Sequence, residues 1–105
     1  PIMSFGVMGG PMQAQGHVQM VVRLQDYGQN PQAASDAPRW RVIGGREVAV
    51  EEGFDAAVLD DLRGRGHDLK LMAPGGFGGA QLIYRLADGY VAGSDHRKDG
   101  QAVGY

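Results

Sequence analysis

The pattern of apolar and polar positions changes sharply near the start of the chain. Residues 2–8 are largely apolar, which predicts a short buried strand. The pattern then changes at Gly9-Gly10-Pro11 to helical spacing over residues 13–27, where apolar side chains occupy two neighbouring faces. Proline suits the first turn of a helix, because its missing N–H is not needed there. This segment therefore predicts a strand that turns directly into a long helix.

Turn-forming residues divide the rest of the chain into shorter elements. The sequence predicts a short helix between Pro31 and Pro38, strands over 39–43 and 47–51, a second long helix over 55–65, a strand over 68–72, and strands over 80–87 and 90–94. The last two strands should form a hairpin, because Asp88-Gly89 is a strong two-residue turn signal. Helices interspersed with strands predict a mixed α/β (α+β) layer structure with two main helices packed on sheet.

Composition and charge exclude several classes of protein for this chain. A chain of 105 residues with 43% hydrophobic content fits a single domain, taken as residues 1–105. The apolar runs are too short to span a membrane. A net charge of -2 argues against a nucleic-acid partner, and the absence of Cys excludes disulfides and cysteine-ligated metals. The sequence predicts no metal site and no cofactor, and it leaves the compartment undetermined.

The glycine pair, Gly9 and Gly10, is the first candidate for chemistry. A Gly-Gly turn at the start of a helix lets backbone N–H groups point into open space, where they can hold a developing negative charge. The same pair can instead serve only a tight strand-to-helix turn, since such turns are common. Spacing alone favours the structural interpretation.

Several segments in order carry a family resemblance. Residues 6–19 closely resemble the glycine-pair segment of the gamma-glutamyltransferase (gamma-glutamyltranspeptidase) family, N-terminal-nucleophile hydrolases that cut themselves into a large and a small subunit. Residues 37–39 (Ala-Pro-Arg), the helix end at 62–67, and the C-terminal segment 94–104 (Ser-Asp-x-Arg-x-Asp-Gly-x-Ala-x-Gly) also match. The chain thus resembles the C-terminal part of such a small subunit, which implies half of a four-layer αββα sandwich.

The resemblance implies a site that this chain fills only in part. In the family, a glycine pair such as Gly9 and Gly10 forms the oxyanion hole, and the nucleophile is a Thr at the small subunit's N-terminus. No Thr occurs in the sequence, so the chain alone is expected to be inactive. Implied partners are the large subunit, the N-terminal part of the small subunit, and a gamma-glutamyl or related amide substrate. Family members are often periplasmic or secreted in bacteria.

The flanks of the glycine pair depart from the usual family pattern. Val7-Met8 and Pro11-Met12 stand where the family commonly has Ser-Pro and Ser-Arg. This version is typical of a branch called gamma-glutamyltransferase-like. The departure leaves the acyl group open, so the substrate could carry gamma-glutamyl or another amide-linked acyl group.

Residues 73–79 form a glycine-rich loop. The loop lacks the Gly-Lys-Ser/Thr ending of a phosphate-binding loop, and no helical pattern follows it, which argues against a nucleotide site. In the family, a glycine-containing loop at this place lies near the acyl pocket. The resemblance therefore implies that Gly75, Gly76 and Gly78 line the substrate.

The first helix carries polar residues that share faces by a spacing of four. Gln15 lies above Gln19, and Gln13 lies above His17. A lone histidine without a second ligand at suitable spacing is not a metal site. We expect His17 to have a hydrogen-bonded packing role, with direct proton transfer as the less favoured alternative.

Arg39 is expected to form a structural ion pair. A planar guanidinium is well suited to joining a strand to a carboxylate, and the candidate partners are Asp36 and Asp95. The charged segment that begins at Ser94 should form a network that fixes the C-terminal end of the chain.

Two other functions remain open from the sequence. The chain could be a non-catalytic binding or oligomerisation domain, and an uncovered sheet edge or face would then favour a homodimer. It could also use Pro1 as a base or nucleophile, as in the tautomerase family, although only that residue matches. We expect Pro1 to be a boundary of the segment instead.

Overall fold

The computed structural model describes residues 1–104. The elements are β1 (Met3–Met8), α1 (Met12–Val21), a π-helical turn (Val22–Asp26), α2 (Pro31–Asp36), β2 (Trp40–Gly44), β3 (Glu47–Val50), α3 (Ala56–Gly64), β4 (Asp68–Leu71), a 3₁₀ turn (Pro74–Phe77), β5 (Gly79–Arg85) and β6 (Tyr90–Ser94). The order and type of the predicted strands and α-helices are confirmed, and their boundaries move by no more than two residues when the π-helical turn is counted with α1, but neither the π-helical turn nor the 3₁₀ turn was predicted.

The six strands form two separate three-stranded sheets. The first sheet has the order β1-β5-β6 and is antiparallel throughout. The second sheet has the order β2-β3-β4, in which β2 pairs antiparallel with β3 and β3 pairs parallel with β4. Helix α3 makes the crossover that a parallel pair needs. The mixed α/β class predicted from the sequence is therefore confirmed.

The core of the first sheet lies under α1, the π-helical turn and α2. Its buried side chains are Val7, Met20, Leu24, Ala34, Ala80 and Leu82. Gly16 allows α1 to approach β1 closely, because a Cβ atom there would lie 2.7 Å from Cγ1 of Val7. This close contact fixes the helix against the strand that precedes it.

The second sheet is covered less completely. Asp55 caps α3 as predicted, since its carboxylate accepts a hydrogen bond of 2.8 Å from the Ala57 N–H. None of the α3 residues is fully buried, although the sequence predicted an apolar side. A cavity of about 310 Å³ lies among apolar residues of α3 and the second sheet, including Leu59, Leu62 and Val48. Helix α3 therefore packs loosely.

Helix α1 contacts both sheets and lies between them. It packs against β1 of the first sheet and β2 of the second. Met12, in its first turn, is fully buried with Ala49 of β3 and Phe77 of the 3₁₀ turn. The N-terminal end of α1 is thus held at the point where the two sheets and the glycine-rich loop meet. Within residues 1–104, no helix is both long enough and apolar enough to cross a membrane.

Candidate active site

The glycine turn, Gly9 and Gly10, has a backbone that other residues rarely adopt. The φ angles are +138° and +59°. The Met12 N–H donates to the Gly9 carbonyl at 3.2 Å, and the Gln13 N–H donates to the Gly10 carbonyl at 3.0 Å. Among the hydrogen bonds of residues 1–104, the N–H groups of Gly9 and Gly10 donate to no protein atom. Both glycines are exposed, so the turn presents two free donors to solvent.

The electrostatics at this point favour an anion. Helix α1 begins directly after the turn, with Pro11 at its N-cap, no side-chain cap and no acidic residue in its first turn. The partial positive charge of the helix N-terminus is therefore left open. A shallow groove beside the turn is lined by residues that include Met8, Gln13 and Gln81. Gly9 and Gly10 are not among the residues that line the groove, so it is at the turn itself that a developing oxyanion would meet backbone donors and a favourable helix dipole.

The two glycine motifs predicted separately from the sequence meet here. A Cβ atom on Gly9 would lie 3.0 Å from Cα of Gly78, and a Cβ atom on Gly78 would collide with the Met8 carbonyl oxygen. Gly78 is buried and has a φ of +74°. The glycine-rich loop thus packs directly against the glycine turn, and only glycines allow this approach.

The other two loop candidates lie farther along the 3₁₀ turn. Gly75 is exposed, and open space surrounds the position where its Cβ atom would be. The Gly76 carbonyl accepts a hydrogen bond of 3.2 Å from Nη1 of Arg41. Of the three predicted substrate-lining glycines, the structure therefore brings Gly78 into contact with the turn.

His17 is engaged at both ring nitrogens. Its Nδ1–H donates to the Gln13 carbonyl at 2.5 Å, and its Nε2 accepts from the Val7 N–H at 3.3 Å. The His17 ring also lies 5.4 Å from that of Phe5, measured between centroids. With both nitrogens occupied, the ring has no free atom for proton transfer, and the hydrogen-bonded packing role predicted for it is confirmed.

Gln15 and Gln19 bind the edge of β2, which the sequence did not predict. Oε1 of Gln19 accepts from the Trp40 N–H at 3.1 Å, and its Nε2 donates to the Trp40 carbonyl at 2.8 Å. Gln15 makes the same pair of contacts with Val42, at 2.7 Å and 3.4 Å. Their shared helix face was visible in the sequence, but the strand that they contact was not.

An ionic cluster lies behind the glycine-rich loop; its members are Arg39, Glu51, Asp95 and Arg97. Nη2 of Arg39 lies 2.6 Å from Asp95, as one of the two predicted pairings required. Nε of Arg97 donates to Glu51 at 2.6 Å and its Nη1 to Asp95 at 3.2 Å. All four charged side chains are almost completely buried.

The structure decides between the two predicted partners of Arg39. Asp36 is paired with His96 at 3.1 Å instead, on the surface. Glu51 was not anticipated as a member of the cluster, although an acidic residue at the end of an apolar strand, after Val50, was a usable signal. The predicted C-terminal network is therefore confirmed, with one acid added.

Asp95 is the centre of the ionic cluster. Burial alone would raise the pKa of Asp95, but the backbone N–H groups of Ala80 and Arg97 and the Arg39 guanidinium outweigh it and lower that pKa to about 2. Asp95 is therefore ionised at neutral pH. Nη1 of Arg39 also donates to the Phe77 carbonyl at 3.0 Å. The cluster thus holds the chain on both sides of Gly78.

Comparisons with known proteins identify a family for this chain. The sequence matches the gamma-glutamyltranspeptidase family over residues 1–105. It is 32% identical to the glutathione hydrolase-like YwrD proenzyme of Bacillus subtilis (strain 168) over 114 aligned residues, which cover 99% of this chain and 21% of that protein.

Solved structures have the same fold. Cephalosporin acylase from Bacillus halodurans superposes with a TM-score of 0.87 at 46% identity, over 92% of this chain and 19% of that one. Gamma-glutamyltranspeptidase from Pseudomonas nitroreducens, in complex with L-DON, superposes with a TM-score of 0.86 at 19% identity, over 98% of this chain and 55% of that one. The chain spans about a fifth of the length of the first two relatives. Because the family match extends over all 105 residues, the chain belongs to the gamma-glutamyltranspeptidase family.

Proposed function

We propose that this chain supplies the oxyanion hole of an N-terminal-nucleophile enzyme that cleaves or transfers gamma-glutamyl or related acyl groups. The observation that carries the proposal is the pair of free, exposed N–H groups of Gly9 and Gly10 at the uncapped start of α1. Free N–H groups are usual at the start of a helix, and here two successive ones lie in a turn that no side chain caps. An oxyanion hole needs donors of this kind, fixed before the substrate arrives.

The proposed reaction takes its nucleophile from outside this chain. The hydroxyl oxygen of an N-terminal Thr attacks the amide carbonyl carbon, and the Thr amino group takes the hydroxyl proton. The C–N bond then breaks, the amine leaves with that proton, and an acyl-enzyme ester remains. In the second half, water or an amine acceptor attacks the ester and gives a proton to the Thr amino group. The acyl C–O bond then breaks, that proton passes to the departing Thr oxygen, and the acid or the new amide is released.

Negative charge develops on the carbonyl oxygen in both halves of this reaction. The N–H groups of Gly9 and Gly10 would donate to that oxygen in each tetrahedral intermediate. A preorganised donor of this kind is worth roughly 10²–10³ in rate. The glycine turn would therefore act twice in each catalytic cycle.

The acyl group is proposed to lie against the glycine-rich loop, with Gly75, Gly76 and Gly78 along its path. Support comes from the contact of Gly78 with Gly9, which makes this loop the neighbour of the oxyanion site. The relatives are named as a glutathione hydrolase-like protein and a cephalosporin acylase. The proposed substrate class therefore covers gamma-glutamyl amides and other amide-linked acyl groups.

One observation also fits the alternative function, a non-catalytic binding or oligomerisation domain. Met8, Ile83 and Tyr90 of the first sheet expose 56%, 51% and 75% of their surface, respectively. We propose that the large subunit and the rest of the small subunit cover these side chains, with a homodimer as the alternative occupant.

Pro1 chemistry fits less well, because the length of β1, about 20 Å, separates Pro1 from the glycine turn.

The test compares Gly10→Ala with Gly45→Ala in the full-length natural polypeptide. Both glycines have similar φ angles, +59° and +55°, and open space where the Cβ atom would be. Both variants should therefore be destabilised alike, by about 1 kcal/mol. Only Gly10→Ala should lower kcat on a chromogenic gamma-glutamyl or glutaryl anilide, by about 10²-fold or more, because its methyl group occupies the oxyanion site.

Two results would overturn the proposal. One is a mature polypeptide whose N-terminal sequencing finds no Thr-initiated chain containing this segment. The other is a Gly10→Ala enzyme as active as Gly45→Ala. Either result would leave the glycine turn with a structural role, and analytical ultracentrifugation would then test the oligomerisation alternative.

A further inference from the structure

Helix α1 carries polar side chains that attach it to the strands on both of its sides. We propose that His17, Gln15 and Gln19 are positioning residues that fix the direction of the Gly9 and Gly10 N–H groups. This inference rests on the proposed function, because it assigns a purpose to the orientation of those two donors.

His17 joins the two segments of chain that flank the glycine turn. Val7, whose N–H donates to Nε2, lies two residues before Gly9. Gln13, whose carbonyl accepts from Nδ1–H, lies three residues after Gly10. One imidazole ring therefore spans the turn and holds its strand side to its helix side.

Gln15 and Gln19 fix the same helix to the second sheet. Residues four apart in a helix are separated by about 6 Å along its axis, and residues two apart in a strand by about 6.6 Å. The two glutamines thus match Trp40 and Val42, and each amide both donates to and accepts from one backbone residue. These contacts satisfy the edge of β2, which has no strand partner on that side within residues 1–104.

The glycine turn needs such support from outside itself. Glycines have wide backbone freedom, and no side chain caps the start of α1, so within the turn only the hydrogen bonds from the Met12 and Gln13 N–H groups hold its backbone. Oxyanion donors act at about 2.7–3.1 Å from the reacting oxygen. A misplacement of about 1 Å can lower a rate by about 10²-fold.

The test uses His17→Phe in the full-length natural polypeptide. Phenylalanine keeps a ring against Phe5 but removes both hydrogen bonds. We expect kcat to fall by about 10- to 100-fold while KM changes by less than about threefold, because donor alignment acts on the transition state. His17→Gln should recover about tenfold, because its amide oxygen can accept from the Val7 N–H.

Matched controls separate positioning from general damage. His67→Phe makes the same replacement at an exposed histidine on another element and should leave kcat unchanged. Gln19→Glu should behave like His17→Phe, since a carboxylate cannot donate to the Trp40 carbonyl. Gln25→Glu is its control, because Gln25 is exposed in the π-helical turn.

A second readout does not depend on activity. Hydrogen-exchange mass spectrometry of peptides covering residues 5–13 should show faster exchange in His17→Phe and wild-type exchange in His67→Phe. If the wild-type enzyme has no acyl-amide activity, the proposed function is overturned. The exchange result alone then shows whether the hydrogen bonds of His17 hold the glycine turn. An active enzyme in which His17→Phe keeps the wild-type kcat, or exchanges like wild type, would overturn the positioning role.

Discussion

The glycine turn and the ionic cluster differ in the burial and pairing of their polar groups. The glycine turn exposes two N–H groups that have no acceptor within residues 1–104. The ionic cluster buries four charged side chains and satisfies nearly all of their polar atoms, Nε of Arg39 being an exception. Unpartnered donors at the surface cost little while water solvates them, whereas unpartnered charges in the interior cost several kcal/mol.

This difference matches two roles: the glycine turn is the region proposed for chemistry, and the ionic cluster is the region that supports it. The ionic cluster holds Phe77 and Ala80 on both sides of Gly78, and Gly78 in turn packs against Gly9. A buried and almost fully hydrogen-bonded cluster therefore supports an open turn. Three predictions test this division.

The largest effect is expected from breaking the ionic cluster. Asp95→Ala leaves the buried guanidinium groups of Arg39 and Arg97 without their shared anion, so the free energy of unfolding should fall by about 3–5 kcal/mol. The control is Asp61→Ala, whose partner Arg65 lies 2.7 Å away on the surface and should cost less than about 1 kcal/mol. Chemical unfolding of the full-length polypeptide measures both. Similar losses in the two variants would contradict the supporting role of the cluster.

A smaller effect is expected where the two regions touch. Gly78→Ala places a methyl group against the Met8 carbonyl at a φ of +74°, so it should destabilise the fold by about 2–3 kcal/mol. It should also lower kcat, because relief of the collision moves Met8 and the glycine turn. Gly75→Ala meets no atom within 4 Å and should change stability by less than about 0.5 kcal/mol. A wild-type kcat in Gly78→Ala would separate the loop from the site.

The smallest effect is a dependence of stability on pH. Asp95 has a folded-state pKa of about 2, below its ordinary 3.8, so its ionised form stabilises the fold above pH 3.8. That contribution, about 2 kcal/mol, should be lost as the pH falls from 3.8 through 2. Urea unfolding from pH 7 to pH 2 measures it, and the difference between wild type and Asp95→Asn isolates it from other carboxylates. Parallel curves for the two proteins would show that Asp95 does not set this slope.

Much of the fold could be predicted because its signals are local. The Asp88-Gly89 turn specified the β5–β6 hairpin, and Asp55 marked the start of α3. The parallel pairing of β3 with β4 left no such signal, because the α3 crossover separates the paired residues. The π-helical turn at the end of α1 was also missed, since its hydrophobic spacing differs little from that of an α-helix.

The candidate site was predictable in its residues and not in its contacts. Gly9 and Gly10 stood out because of the family resemblance, since spacing alone favoured a structural turn. That Gly78 packs on Gly9 depends on the register in which β5 pairs with β1, which sets Met8 opposite Gly79. The role of Gln19 likewise depended on where β2 would lie.

The sequence by itself determined the order and type of the elements, the glycine turn and the family resemblance. These follow from apolar periodicity, turn residues and motif spacing, all of which act over a few neighbouring positions. Only the tertiary structure decided the choice of Asp95 over Asp36, the addition of Glu51, and the attachment of α1 by His17 to one sheet and by its glutamines to the other. Those contacts join residues far apart in the chain, and their energies depend on burial and distance that no local pattern records.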